Sequence, residues 1–342
     1  MRILVTGATG FLGSHLVPLL RAEGHQVCAL GRTRPPVAWG QGDNPVTFIT
    51  ADLKERALVQ RALEGVEAIY HLAGMVSFRN EDSRKMYALH VDATRDLLRD
   101  VDALGTKPRV ILVSTSGTIA VSKTQRVGSE ADEYPIEVVG RWPYYLSKIY
   151  EEKLALEFCR ARGIPLVVLN PSLLMGPGDA RLSSTWTVVK FLQRDIPVMP
   201  GGGMSFVDVR DVAATAVQAL HRGEVYGRHL MGVNMSMSEF FSRLERLTGV
   251  PAPLVKLPKQ LTILGGYALE KLADWRGLKP SLDPQEVEVG EHWFWCDSSK
   301  SQRELSFEAR DPYETLHDTV KFVLSRLPPN DRPDLKGALL TP

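Results

Sequence analysis

The sequence predicts an α/β protein: a doubly wound parallel sheet with a smaller, mostly helical cap toward the C-terminus. Three observations carry this. Short β-branched apolar runs alternate with helical patterns through the first half of the chain, the signature of a parallel sheet covered by helices on both faces. The runs are apolar almost throughout rather than at every second position, as strands buried on both faces must be. The first run passes through a glycine-rich turn directly into a helix.

Taken in order, the runs are "RILVT", "QVCAL", "VTFIT", "AIYHLA", "RVILVS" and "IPLVVLN", six strands by about residue 170. Segments such as "SHLVPLLRAEG" and "LVQRALEGV" supply helices between them. Proline and glycine then punctuate "NPSLLMGPGDARL" and "IPVMPGGGMSF", after which the pattern turns helical. Ser236 followed by Glu239 predicts a capping box opening the helix "EFFSRLERLTG", with Gly249 closing it and Pro251 beyond. A second amphipathic segment is predicted over 258–277, and the last stretch, "PPNDRPDLKGALLTP", reads as a loose tail.

Composition narrows the classes of function. The 342 residues are 44% hydrophobic and 24% charged, an ordinary globular mixture with room for one large domain or two. Lys plus Arg (41) nearly balances Asp plus Glu (40), so no global field draws in nucleic acid or an acidic membrane. A charged ligand must be bound locally. Cys28, Cys159 and Cys296 lie far apart without a CxxC pair, which argues against a disulfide framework and predicts no metal site. The segment "LTILGGYALEKLA" is too short and too charged to span a bilayer. No basic-then-apolar leader precedes the first strand, and the reading is a soluble cytoplasmic protein.

Gly7, Gly10 and Gly13 fall where strand gives way to helix. A dinucleotide pyrophosphate needs backbone amides and a positive helix end at close range, and side chains would block that approach. The spacing is GxxGxxG rather than GxGxxG, and glycine at strand–helix turns is common, so the motif gains weight from its position. The second run ends "CALGRTRP". A carboxylate there would bond the ribose 2′-hydroxyl of NAD, whereas Arg32, with Arg34 close by, suits a 2′-phosphate. NADP(H) is therefore favoured, NAD(H) is the alternative, and a solvated loop arginine is the plain reading. Asp52, after the third run, is a candidate for the adenine amino group, with Leu53 packing on the ring; a helix N-cap is its alternative. Small Ala73 and Gly74 end the fourth run where a cofactor would pass, or simply make a turn.

Tyr144 and Lys148 in "PYYLSK" are four residues apart and share one face of a helix. A phenol ionises near pH 10, too high for easy proton exchange at neutrality, and a nearby ammonium lowers that value. Tyr144 is thus a candidate general acid or base. The same spacing arises by chance in many helices. Ser116, just past the fifth run, is the candidate that polarises a substrate carbonyl, with Thr118 as the second; Ser114 and Thr115 read as structural on position alone.

Together "TGATGFLG", the "DL" at Asp52, "HLAG", "STSGT", "YYLSK", "NPSLLMGPGD", "FVDVRDVA" and "CDSSKSQREL" resemble the extended short-chain dehydrogenase/reductase superfamily along nearly the whole chain. The similarity is greatest to its dihydroflavonol-reductase-like and 3-beta-hydroxysteroid-dehydrogenase-like branch. The resemblance implies a Rossmann fold of about seven parallel strands, a nicotinamide cofactor and a Ser116–Tyr144–Lys148 triad. It implies a cofactor-binding core over 1–170, with 206–232 returning to it. A substrate-binding cap over 171–205 and 233–328 and a tail over 329–342 complete the division. The implied cofactor set is Gly7, Thr9, Gly10, Phe11, Leu12, Gly13, Arg32, Asp52, Leu53, Leu72, Ala73, Gly74, Ser114, Tyr144, Lys148, Pro171 and Ser172. Ser116, Thr118, Tyr144, Leu173 and Trp186 are the substrate candidates. Asp208 and Asp211 look structural in this family, and homodimers are usual in it.

Relatives often read "NVxGT" where this chain has "HVDAT". His90 then replaces an asparagine, either titrating near neutral pH or packing in the core. Nucleotide-sugar enzymes of the superfamily more often read "RxxNVYGPR" at "NPSLLMGPGD" and clamp a diphosphate with arginines. The cap segment here offers Arg181, Lys190 and Arg194, but Leu182, Trp186, Val188, Val189, Phe191 and Leu192 predominate. Such a lining suits a hydrophobic carbonyl compound, although a helix also turns this stripe to a core. The implied activity is a reductase of a hydrophobic ketone: steroid-like, flavonoid-like, another secondary metabolite or a long-chain keto compound. A nucleotide-sugar epimerase or dehydratase and a non-catalytic cofactor sensor are the alternatives.

Overall fold

A computed structural model describes residues 1–42, 44–255 and 284–333. The segment 258–277 and the chain beyond 333 lie outside the described residues. Seven strands form one parallel sheet: β1 (Arg2–Thr6), β2 (Gln26–Gly31), β3 (Thr47–Thr50), β4 (Ala68–His71), β5 (Arg109–Val113), β7 (Leu166–Pro171) and β10 (Arg228–Met231). Their order is β10-β7-β5-β4-β1-β2-β3. The order reverses between β1 and β4, and a crevice opens beyond the carboxyl ends of strands at such a switch point. Between β5 and β7 lies β6 (Val127–Gly128), which pairs in parallel with β12 (Trp295–Cys296).

Helices cover both faces. On one side α1 (Phe11–Ala22) packs Leu12, Leu16, Val17 and Leu20 against the sheet and against Val212, Ala216 and Val217 of α8 (Val209–Gln218). On the other side lie α2 (Arg56–Leu63), α4 (Ala93–Ala103) and the long α6 (Pro143–Arg162), which bury Val59, Leu97, Val101, Ala155 and Cys159. Shorter pieces, α3 (Ser83–Tyr87) and α5 (Ile136–Val139), precede α4 and α6. Pro143 opens α6, where its missing N–H costs nothing, and Gly163 ends it in the left-handed conformation at φ +63°.

The second layer is a small sheet of β8 (Leu173–Met175), β9 (Gly203–Asp208) and β11 (Val233–Ser236), in the order β11-β9-β8. Around it pack α7 (Trp186–Leu192), α9 (Met237–Thr248) and α12 (Pro312–Arg326), which bury Val188, Val189, Phe191, Leu192, Phe240, Phe241 and Val320 together. The apolar stripe on α7 is therefore the interior of this layer and not a lining for a ligand. Only Trp186, 44% exposed, turns outward. α10 (Pro284–Gly290) and α11 (Ser299–Leu305) complete the described helices.

Ser236 caps α9 through the Glu239 N–H at 3.2 Å, and Gly249 ends it at φ +71°. The helix starts at Met237, two residues before the predicted "EFFSRLERLTG", and the Glu239 carboxylate accepts from Arg243. Three passages of the chain meet at one spot. Ser172 is the one residue between β7 and β8, Gly232 the one between β10 and β11, and Ser298 leads from β12 into α11. Gly232 donates to Ser298 Oγ at 2.9 Å, and a side chain there would overlap the hydroxyls of Ser172 and Ser205.

Asp208 caps α8 and pairs with Arg210, while Asp211 accepts from the Arg310 backbone N–H and from its guanidinium at 2.7 and 2.9 Å. Asp211→Ala orphans the Arg310 backbone donor and takes from its guanidinium the nearest of three carboxylates, leaving Glu314 and Asp208. The expected cost is about 2–3 kcal/mol, read as a lower urea midpoint with an unchanged slope.

Candidate active site

The glycine turn follows β1 at the switch point. Gly7 has φ +66°, and a Cβ there would lie 2.8 Å from the backbone of Leu72 and Ala73 at the end of β4. Gly10 is exposed and is the N-cap of α1, which starts at Phe11, ahead of Ser14 and His15. A Cβ on Gly13 would press within 2.7 Å of the Ala8 backbone. The three positions thus serve a turn, an open approach and a helix packed against its strand. Arg32 and Thr33 are exposed beyond β2, and the Thr9 and Thr33 hydroxyls are 2.8 Å apart. Asp52 accepts from the Lys54 N–H at 3.0 Å, a local Asx turn, and α2 begins further on at Arg56. Leu53 is buried, Leu72 and Ala73 are half-buried, and Gly74 is exposed.

α6 docks across the carboxyl end of β5 in three successive contacts. Lys148 Nζ donates to Val113 O at 3.0 Å, the Tyr144 hydroxyl neighbours the Thr115 side chain, and Tyr145 lies over Gly117 so closely that any side chain there would overlap its ring. Ser116 opens a 3-10 turn, Ser116–Thr118, capped by the Thr115 hydroxyl. The predicted triad positions are thereby gathered at one sheet edge. Tyr144 is pushed up to about 12 by burial and by the Glu151 carboxylate, against the pull of Thr115. It is a phenol at neutral pH.

Thr118 departs from the expectation. Its hydroxyl is fully buried and lies among Thr115 O (2.8 Å), Glu152 Oε2 (3.0 Å) and Asn170 Nδ2 (3.2 Å), which leaves nothing for a substrate. His90 departs as well. Its Nε2 accepts from the Met75 N–H at 3.2 Å, so Nδ1 carries the proton and donates to Ser147 Oγ at 2.9 Å. Burial, with Lys148 and His71 nearby, pushes it down to about 2, so it packs as a neutral ring and does not titrate near neutrality. Leu173 begins β8 and packs on the interior of the second layer, and Trp186 lies under Lys190.

Sequence reasoning missed the aromatic group beside the triad. Tyr145 contacts Tyr144, Trp142, Phe294 and Phe78, with ring centroids 5.0 to 6.5 Å apart. It also missed two fully buried carboxylates, Glu151 and Glu152, on the inner face of α6. They lie three and four residues after Lys148, a spacing that sets them near it on the helix but does not reveal that they are buried.

The arrangement fits a dinucleotide on two structural grounds. Gly10 is exposed at the N-terminus of α1 and has only the Gly7 carbonyl near the place of a Cβ, so a phosphate can approach the backbone there. Two buried hydroxyls at the same sheet edge, Ser114 Oγ and Ser172 Oγ, have no partner in the protein. No group of three or more His, Cys, Asp or Glu among the described residues can hold a metal, and no described helix is long and apolar enough to cross a membrane.

Comparison with known proteins agrees with this geometry. The chain is 30% identical to a putative dihydroflavonol 4-reductase of Synechocystis over 329 residues, 93% of each chain. It is 31% identical to sterol demethylase protein B of Methylococcus capsulatus over 332 residues, 95% of this chain and 99% of the relative. Among solved structures, gox2253 superposes with a TM-score of 0.80 at 25% identity, covering 95% of this chain and 99% of that one. UDP-glucose 4-epimerase of Thermotoga maritima shares the fold, with a TM-score of 0.73 at 22% identity over 96% of this chain and all of the other. Residues 3–231 match the profile of one family, and the chain is an NAD(P)-dependent enzyme of the oxidoreductase and epimerase type: it belongs to the NAD dependent epimerase/dehydratase family.

Proposed function

We propose that the protein is a reductase that prefers NADP(H) and acts on the ketone carbonyl of a small hydrophobic substrate. The observation that carries the reading is Tyr144, a phenol held protonated beside the end of β5, one helical turn from the Lys148 ammonium. Bound there, the nicotinamide cofactor supplies hydride to the carbonyl carbon. Ser116 donates a hydrogen bond to the carbonyl oxygen as its negative charge grows. Tyr144 Oη gives that oxygen its proton, and the product is the alcohol. Lys148 has an N–H beyond those directed at Val113 O and Glu151, and it holds the cofactor ribose. The amides around Gly10 and the N-terminus of α1 hold the pyrophosphate, and Arg32 with Thr33 holds the 2′-phosphate.

Three observations support a hydrophobic substrate over a nucleotide sugar. Tyr144 packs on the Tyr145 ring, which in turn contacts Phe78 and Phe294. Of the three cap cations, Lys190 is buried and paired with Glu286, which removes it from any diphosphate clamp. Two nearly full-length relatives carry names that refer to a dihydroflavonol and a sterol.

The test is nicotinamide absorbance over time, with NADPH or NADH and a panel of lipophilic ketones and nucleotide sugars. Net loss of NADPH with a ketone is the expected result. A changed nucleotide sugar without net loss of cofactor overturns the reading. Arg32→Ala is expected to raise KM for NADPH by about 10- to 100-fold, the worth of one charge-assisted pair, with little change for NADH. Equal effects on both cofactors would remove Arg32 from the 2′-phosphate.

A further inference from the structure

Glu151 is 0% exposed and lies one turn after Lys148 on α6. Its Oε2 forms an ion pair with Lys148 Nζ. Its Oε1 accepts from Thr94 Oγ1 at 3.2 Å. The Thr94 hydroxyl has one proton and spends it there, so at 2.8 Å it accepts from His71 Nε2–H. His71 Nδ1 is then bare and accepts from Thr6 Oγ1 at 2.7 Å, and Thr6 Oγ1 in turn accepts from the Ala73 N–H at 3.4 Å. Every donor in this chain, Ala73 to Thr6 to His71 to Thr94, points toward Glu151. This orientation suits an acceptor at the end of the chain, a carboxylate set against the ammonium.

We propose that Glu151 is a positioning residue and counter-charge for Lys148: it ties the ammonium against Val113 O and cancels the field that an unopposed lysine would exert on Tyr144, so that Tyr144 remains a proton donor. The proposal rests on the reductase reading and concerns which protonation form of Tyr144 is populated. A lone ammonium beside a tyrosine promotes phenolate, which is a base for alcohol oxidation. A neutral pair removes that push.

The titratable groups packed around this pair are accounted for. His90, from the turn before α4, meets Tyr144 edge to face with centroids 6.1 Å apart and is neutral. His71, on β4, is neutral because burial and Lys148 push it down to about 3. Tyr145 is pushed upward by burial and by Tyr144. Glu152 is turned to Thr118 and Asn170. Burial holds Glu151 above the usual carboxylate range, an effect that Lys148 and Thr94 offset only in part.

The test reads Tyr144 without any substrate, as phenolate absorbance in a pH titration with Tyr144→Phe as the blank. Wild type is expected to show no Tyr144 ionisation before alkaline unfolding. Glu151→Gln, which keeps shape and loses charge, is expected to bring the midpoint down by about one pH unit or more, the effect of a unit charge at side-chain distance. Glu151→Asp is expected to restore the wild-type behaviour, and Glu152→Gln, equally buried, to leave the midpoint in place. If Glu151→Gln does not fold, Thr94→Val, which withdraws the donor that stabilises the carboxylate, is expected to move it the same way by less. Wild-type titration in both variants overturns the proposal, as does an equal shift in Glu152→Gln. The high-pH limb of kcat/KM for ketone reduction is expected to move with the midpoint. Should no form of the protein reduce any ketone, the reductase reading falls while the titration still judges Glu151.

Discussion

Tyr144→Phe is expected to lower kcat/KM for ketone reduction by about 10²- to 10⁴-fold, the worth of a positioned general acid, while NADPH still binds. The substitution removes one oxygen. That oxygen is the proton donor in the proposed reaction, and it lies beside the Thr115 side chain. The ring remains wedged between Tyr145 and His90, at 5.0 and 6.1 Å, so the helix keeps its place over β5. Steady-state kinetics with cofactor fluorescence titration separate the two effects. Activity within tenfold of wild type would remove Tyr144 from the proton-transfer role. Loss of NADPH binding together with activity would instead make the side chain part of the cofactor cradle.

The second large effect divides the three glycines of the first turn. Gly13→Ala is expected to destabilise the protein by about 3 kcal/mol, at the upper end of overpacking, because the added methyl meets backbone atoms of Ala8 that cannot move aside. Gly10→Ala meets only the Gly7 carbonyl, at 3.0 Å. It is expected to fold with near-native stability and to bind dinucleotide far more weakly, because its methyl stands in the path of the pyrophosphate. Thermal unfolding with and without NADPH distinguishes the two. Wild type gains stability from the cofactor by mass action, and Gly10→Ala is expected to gain almost none. A Gly13→Ala protein as stable as wild type would contradict the close packing of α1 on its strand.

Much of this was legible in the sequence because the signals are long and periodic. Six all-apolar runs separated by helical segments leave little choice but a buried parallel sheet, and the glycine turn marks where its order reverses. The positions of Tyr144, Lys148 and Ser116 followed from helical spacing and from a strand end. Other features had no such signal. β6 and β12 have two residues each and pair across most of the chain; two residues have no period to read. The stripe on α7 is ambiguous because core and ligand lining use the same residue types, and only the packing of Phe240, Phe241 and Val320 assigns it to the interior. "YEEKL" looks like a solvated charge run. Its two carboxylates are buried because Lys148, Thr94, Asn170 and Thr118 await them on other elements, which no local pattern records. His90 likewise lost its titration to burial, a property of the fold and not of the residue.

The meeting of Ser172, Gly232 and Ser298 sets a mechanical property of the molecule. These side chains are the smallest available, and they are locked by the Gly232–Ser298 hydrogen bonds and by the close fit of Gly232 to Ser172 and Ser205. A rotation of the second layer about this knot moves each atom in proportion to its distance from it. Ser172 is at the fulcrum, just past the end of β7, the strand next to β5, whose end leads to Ser114 and Ser116. The edge that carries the reacting groups is thus the part that such a rotation displaces least.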